Sequence, residues 1–179
     1  MMPSRRTALL AACSLGLCAA AVCACTVANF VQYVKEGHYS DTIFHRVIAQ
    51  FMIQGGGFLA NGTEKPVHAP IAIESNNGLK NVRGTVAMAR RADPNSATAQ
   101  FFINTVDNPF LDYPGRDNAG YTVFGKVIDG MDTVDKIRNS PILNRGGALT
   151  DSPATPVVIT KARLGRDAAP APAKEAAKK

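Results

Sequence analysis

Three stretches of the chain set single polar groups among apolar neighbours: Phe44-His45-Arg46-Val47, Phe51-Met52-Ile53-Gln54-Gly55-Gly56 and Ala99-Gln100-Phe101-Phe102-Ile103-Asn104. A guanidinium flanked by apolar strand residues is costly to bury unless it is paired or used. Arg46 therefore either does chemistry or snorkels to water from an edge strand. Read alone, Phe51, Met52, Phe102 and Leu111 are ordinary core packing. Nucleophilic and nucleotide chemistry lack their signatures: there is no Gly-x-Ser-x-Gly, no phosphate loop and no His-Glu-x-x-His. All four cysteines, Cys13, Cys18, Cys23 and Cys25, lie in the first 25 residues, leaving the body without a thiol nucleophile or a disulfide framework. His38, His45 and His68 lack metal-ligand spacing, so no metal is expected.

The elements that must position these groups are short. Thr26 can cap a helix whose apolar face is Val27, Phe30, Val31 and Val34, with Gly37 as its stop. Residues 42–53 read as two short strands followed by a turn at Gly55-Gly56-Gly57, and residues 71–81 as loop. Strand patterns recur at residues 84–90, 99–104 and 121–128. Met131, Val134 and Ile137 mark a second short helix with Pro141 beyond its end, and residues 156–164 form a last strand. Many short strands with two helices predict a mainly β barrel or sandwich with helical caps, not an alternating parallel sheet.

The ends are of a different character. Residues 1–25 combine Arg5-Arg6 with an apolar Ala/Leu/Cys run, the pattern of a secretory signal peptide, and Val22-Cys23-Ala24-Cys25 resembles a lipoprotein cleavage site with Cys25 as the lipidated residue. Export, to a periplasm for instance, is expected if that signal operates, and a cytoplasmic protein otherwise. Residues 166–179 are Ala, Pro and Lys, expected to be a disordered tail. The net charge is +6, of which residues 26–165 supply only +2, and no aromatic-interleaved basic stripe accompanies Arg90-Arg91, so nucleic acid is not an expected partner. The length suits one domain, residues 26–165, and nothing implies an oligomer.

Taken together, the three apolar stretches resemble the signature segments of cyclophilins. Thr26-Val27-Ala28-Asn29-Phe30, Gly84-Thr85-Val86-Ala87-Met88-Ala89 and Val123-Phe124-Gly125-Lys126-Val127 extend the likeness from about Thr26 to Leu164, and Asn95-Ser96-Ala97-Thr98-Ala99-Gln100 is similar to the bacterial type. The resemblance implies a peptidyl-prolyl cis/trans isomerase on an antiparallel β-barrel with two short capping helices, assisting the folding of proline-containing polypeptides without any cofactor. It implies Arg46 as the donor to the prolyl nitrogen, and Phe51, Met52, Phe102 and Leu111 as the proline pocket. Gln54 and Gln100 would position the peptide and Arg46, and Ala89 and Arg90 would pair with substrate backbone. Phe110 stands where tryptophan is often found, so weak cyclosporin binding is expected; Tyr121 stands where histidine is common. The family also has two strands before the segment that here begins at Thr26. The signal-like stretch occupies that place, so the barrel is expected to lack its first two strands and to be open beside residues 156–164. A frameshift, internal deletion or mis-assigned start in the coding sequence would account for this. The alternative function is a non-catalytic proline-peptide-binding or chaperone module on an incomplete barrel.

Overall fold

The amino-terminal helix pattern produces α1, Ala24–Lys35, in the computed structural model, which describes residues 24–165. The buried face keeps Phe30 and Val34 of the expected set but turns away from Val27 toward Thr26 and Tyr33. Tyr33 and Val34 are buried and Phe30 packs beside them, whereas Val27 is 41% exposed. Thr26 is the reason. It lies inside the first turn, not at its cap, and its N–H and hydroxyl both donate to Glu74 Oε2, at 2.9 and 2.6 Å, drawing that side of the helix inward.

Residues 42–59 form a hairpin of β1, Thr42–Ile48, and β2, Met52–Leu59. The expected glycine turn is corrected here, because Gly55, Gly56 and Gly57 lie within β2. The strand passes too close to its neighbours for side chains: a Cβ on Gly55 would lie 3.0 Å from both the Ile43 carbonyl and the Phe44 ring. The remaining strands of the sheet are β3, Thr85–Met88, β4, Phe101–Asn104, β5, Val123–Lys126, and β8, Val158–Ile159. They join in the order β5-β3-β4-β2-β1-β8 with every pairing antiparallel. Helix α2 spans Met131–Arg138, and a separate ribbon pairs β6, Ile142–Leu143, with β7, Ser152–Pro153. The ribbon is absent from the sequence reading because two-residue strands are too short to show alternation.

The architecture is mainly β and antiparallel with two helices, as expected. Among the described residues the outer strands of this sheet are β5 and β8. The last strand, β8, is shorter than predicted, two residues within 156–164. The first 23 residues of the signal-like segment, and the tail at 166–179, lie outside the described residues.

Alternation along the strands divides the apolar residues between two faces of the sheet. Ile53 and Val47 pack under Val134 of α2, and Phe101 packs with Tyr33 and Tyr39 beneath α1. The other face gathers Met52, Ala87 and Phe102 with Leu111 and Val123. His45 is 2% exposed, with its ring 4.7 Å from that of Phe58. Burial, helped by the Arg46 charge, pushes its pKa down to about 4.

Folded His45 is therefore neutral down to low pH, while the unfolded chain binds a proton near the ordinary value of about 6.5. Acid draws the equilibrium toward the unfolded state as pH falls from that value toward the folded pKa, and His38, lowered mainly by burial, acts in the same direction. Between pH 7.5 and 5, His45 should remove about 2 kcal/mol of stability. Urea titrations at the two pH values should show the parent losing about that much more than His45→Gln; equal losses would overturn the assignment.

Candidate active site

Register across the sheet places Arg46 opposite Gln54, Gln54 opposite Phe102, Phe102 opposite Ala87, and Ala87 opposite Val123. These residues share one rung on the face away from the helices. The rung crosses the floor of a cavity of about 360 Å³. Met52, Phe102 and Leu111 are buried beneath it, each under 8% exposed, and they line the cavity while belonging to the core. Phe51 and Phe110 stack at 5.6 Å on one side, and Tyr121 meets Phe102 edge-on at 5.8 Å on another.

At the cavity edge the Arg46 side chain remains 41% exposed, with Asp151 Oδ2 3.6 Å from its Nε. β1 lies between β2 and β8, but β8 reaches only Thr42 and Ile43, and at Arg46 the ladder partner is Gln54 of β2. Gln54 Nε2 donates to Gln100 Oε1 at 2.9 Å, so the two amides are one unit. Gln100 itself lines a neighbouring cavity of about 660 Å³ and not the apolar one. Gly57 makes room for it: a Cβ there would fall 2.5 Å from Gln100 Nε2.

The Arg90 side chain is engaged within the protein, and the residue lines both cavities. Its side chain is 3% exposed, and its Nε and Nη2 donate to the Gly120 carbonyl at 3.0 and 2.8 Å. Nη2 also pairs with Asp117, and the guanidinium sits 4.3 Å from the Tyr121 ring centroid. This guanidinium braces the cavity wall. Pairing with Arg90, reinforced by the Gly120 and Ala119 backbone N–H groups, pushes the Asp117 pKa down to about 2. Ala89, beside it, lines both cavities.

The sequence reading missed Arg116, Asp117 and Gly120, which line the apolar cavity, and Asp151 beside Arg46. Two glycines flanking Arg116-Asp117-Asn118-Ala119 mark a tight loop; nothing local marks Asp151.

The family sequence model for cyclophilin type peptidyl-prolyl cis-trans isomerase/CLD matches residues 18–164. The chain is 55% identical over 136 residues to peptidyl-prolyl cis-trans isomerase B of Escherichia coli K12, covering 75% of this chain and 82% of that one. It is 52% identical over 141 residues to peptidyl-prolyl cis-trans isomerase cyp18 of Streptomyces antibioticus, covering 78% and 84%. A crystal structure of a Cryptosporidium parvum cyclophilin type isomerase, in the presence of the dipeptide Ala-Pro, superposes with a TM-score of 0.61 at 30% identity, covering 78% of this chain and 84% of that one. The chain belongs to the cyclophilin-type peptidyl-prolyl cis-trans isomerase family. It is a peptidyl-prolyl isomerase, similar to those of bacteria.

A Gly57→Ala substitution should displace Gln100 and break its bond to Gln54 while leaving the flexible side chain somewhere to go. Magnetisation-exchange NMR on an Ala-Pro peptide should show kcat/KM falling about 10- to 100-fold, with a urea-measured stability loss of only about 1 kcal/mol. Activity within twofold of the parent would remove Gln100 from the positioning set.

Proposed function

We propose that Arg46 drives prolyl isomerisation by donating a hydrogen bond to the prolyl nitrogen as the peptide bond twists. The C–N bond resists rotation by about 18–20 kcal/mol because it has partial double-bond character. Twisting removes that conjugation and returns a lone pair to the nitrogen. A fixed donor that meets the lone pair stabilises the twisted state more than the planar one, and this difference is what lowers the barrier. No covalent bond forms or breaks in the process.

One observation carries the reading: a single rung sets an open guanidinium beside an apolar floor. Phe102, Met52 and Leu111 hold the proline ring by burial, Phe51, Phe110 and Tyr121 enclose it, and the Gln54–Gln100 pair positions the flanking peptide. Asp151 supports the direction of the Arg46 side chain. The non-catalytic alternative is not favoured, because relatives at 52–56% identity are named peptidyl-prolyl cis-trans isomerases. The signal-like pattern of residues 1–25 supports action outside the cytoplasm, in a periplasm for instance, on proline-containing polypeptides. Cys25 would be a lipid anchor there if processed as its surroundings suggest, and the enzyme would act as a monomer.

Arg46→Ala should lower kcat/KM on an Ala-Pro peptide by about 100-fold or more while the far-ultraviolet spectrum is unchanged. Arg46→Lys should recover little, since an ammonium lacks the planar fork. Either variant staying within threefold of the parent would sink the donor role. Phe110 supplies ring area but no indole N–H, so calorimetry should find cyclosporin binding weaker than about 1 μM; a nanomolar constant would refute this.

A further inference from the structure

The cavity wall from Phe110 to Tyr121 carries two adjacent charges with different surroundings. Asp117 is engaged within the wall: Oδ1 accepts the Ala119 and Gly120 N–H groups at 3.1 and 3.0 Å, and Oδ2 takes Arg90. The Ser75 hydroxyl donates to the Ala119 carbonyl, fixing the loop from outside. Its neck is pinched as well, since a Cβ on Gly120 would fall 2.8 Å from the Tyr113 nitrogen. A side chain projecting from this loop starts from a fixed backbone.

Arg116 is that side chain. Its guanidinium lies 4.9 Å from the Phe110 ring centroid and lines the apolar cavity. The Arg90 charge is balanced by Asp117 and the Arg46 charge by Asp151, but among the described residues no carboxylate pairs with Arg116. Arg46, Gln54, Ala89 and Arg90 line both cavities, whereas Phe110 and Arg116 line only the apolar one. The uncompensated cation thus marks the end of the groove away from Gln100.

We infer that Arg116 is a specificity-determining residue that favours substrates with a carboxylate side chain directly beside the proline, on the flank that leaves the cavity over Phe110. The inference rests on the reading of this cavity as the prolyl site. Cation–π contact with Phe110 holds the guanidinium at the wall, where Glu or Asp can meet it with two parallel N–H···O bonds. A pair this open to water should change kcat/KM by roughly two- to fivefold, and salt should screen it.

The test uses the full chain and short Ala-rich peptides carrying Glu, Gln or Lys immediately before or immediately after proline. Magnetisation exchange gives the Glu/Gln ratio of kcat/KM within each protein, at about 20 mM and about 0.5 M salt. For one flank the parent should give a ratio of about two to five at low salt, declining toward one at high salt. Arg116→Gln should give a ratio near one, and Arg116→Glu should prefer Lys to Glu. A parent ratio near one at both flanks would overturn the inference, as would a preference for Glu that survives Arg116→Gln, which would assign it to the other arginines. Failure of the parent to accelerate the Gln peptides would overturn the prolyl-site reading and this inference with it.

Discussion

Both faces of β4 are buried, and the register of that one strand governs the rest of the molecule. Phe101 and Ile103 must reach the helices while Phe102 reaches the cavity floor, so a slip of one residue would put each on the wrong side. Pairing with β2 transmits the requirement outward: Gln54 is held opposite Phe102, and through it Arg46 is held opposite Gln54. The cavity face is thus the reverse of the face that packs against the helices. Packing α1 and α2 on one side of the sheet fixes where the polar groups of the other side must stand.

The walls depend on a second device, a buried amide network behind the pocket. Asn104, fully buried, donates to Asn81 Oδ1 at 3.2 Å and to Thr85 Oγ1 at 2.9 Å, and accepts from Asn108 Nδ2 at 2.7 Å. Asn108 also donates to the Phe51 carbonyl at 2.9 Å, and the Asn81 N–H donates to Asp112 Oδ1 at 2.7 Å. The loops bearing Phe51 and Leu111 are tied to the end of β4 in this way. Buried amides earn such a place only when their partners are complete, and completeness gives aromatic walls on loops the definition of walls on strands.

The sequence revealed the parts of this structure that are encoded locally. Alternation announced β3, β4 and β5, and the rare mixture of Arg, Gln and Phe on strands pointed to the site face. Local reading failed where tertiary contact decides. Gly55, Gly56 and Gly57 look like a turn until neighbouring strands are seen to crowd them. The buried face of α1 is set by Glu74, distant in sequence. The Arg90 guanidinium is held by Asp117 and Tyr121, contacts that no local pattern announces. Arg116 and Asp151 carry no pattern of their own, and acquire meaning only from the ring and the guanidinium beside them.

The pairing of Arg46 with Asp151 has a further consequence for how the enzyme comes into being. Arg46 lies on the first strand, whereas Asp151 lies just before the β7 strand, and its carbonyl also accepts the Val47 N–H at 2.8 Å. On a chain made from its amino terminus, the hairpin of β1 and β2 emerges early, while the carboxylate that steadies its arginine is among the last described residues to leave the ribosome. The apolar floor, whose residues are all in place in the chain once Val123 is added, can therefore form on the nascent chain before the carboxylate beside Arg46 exists.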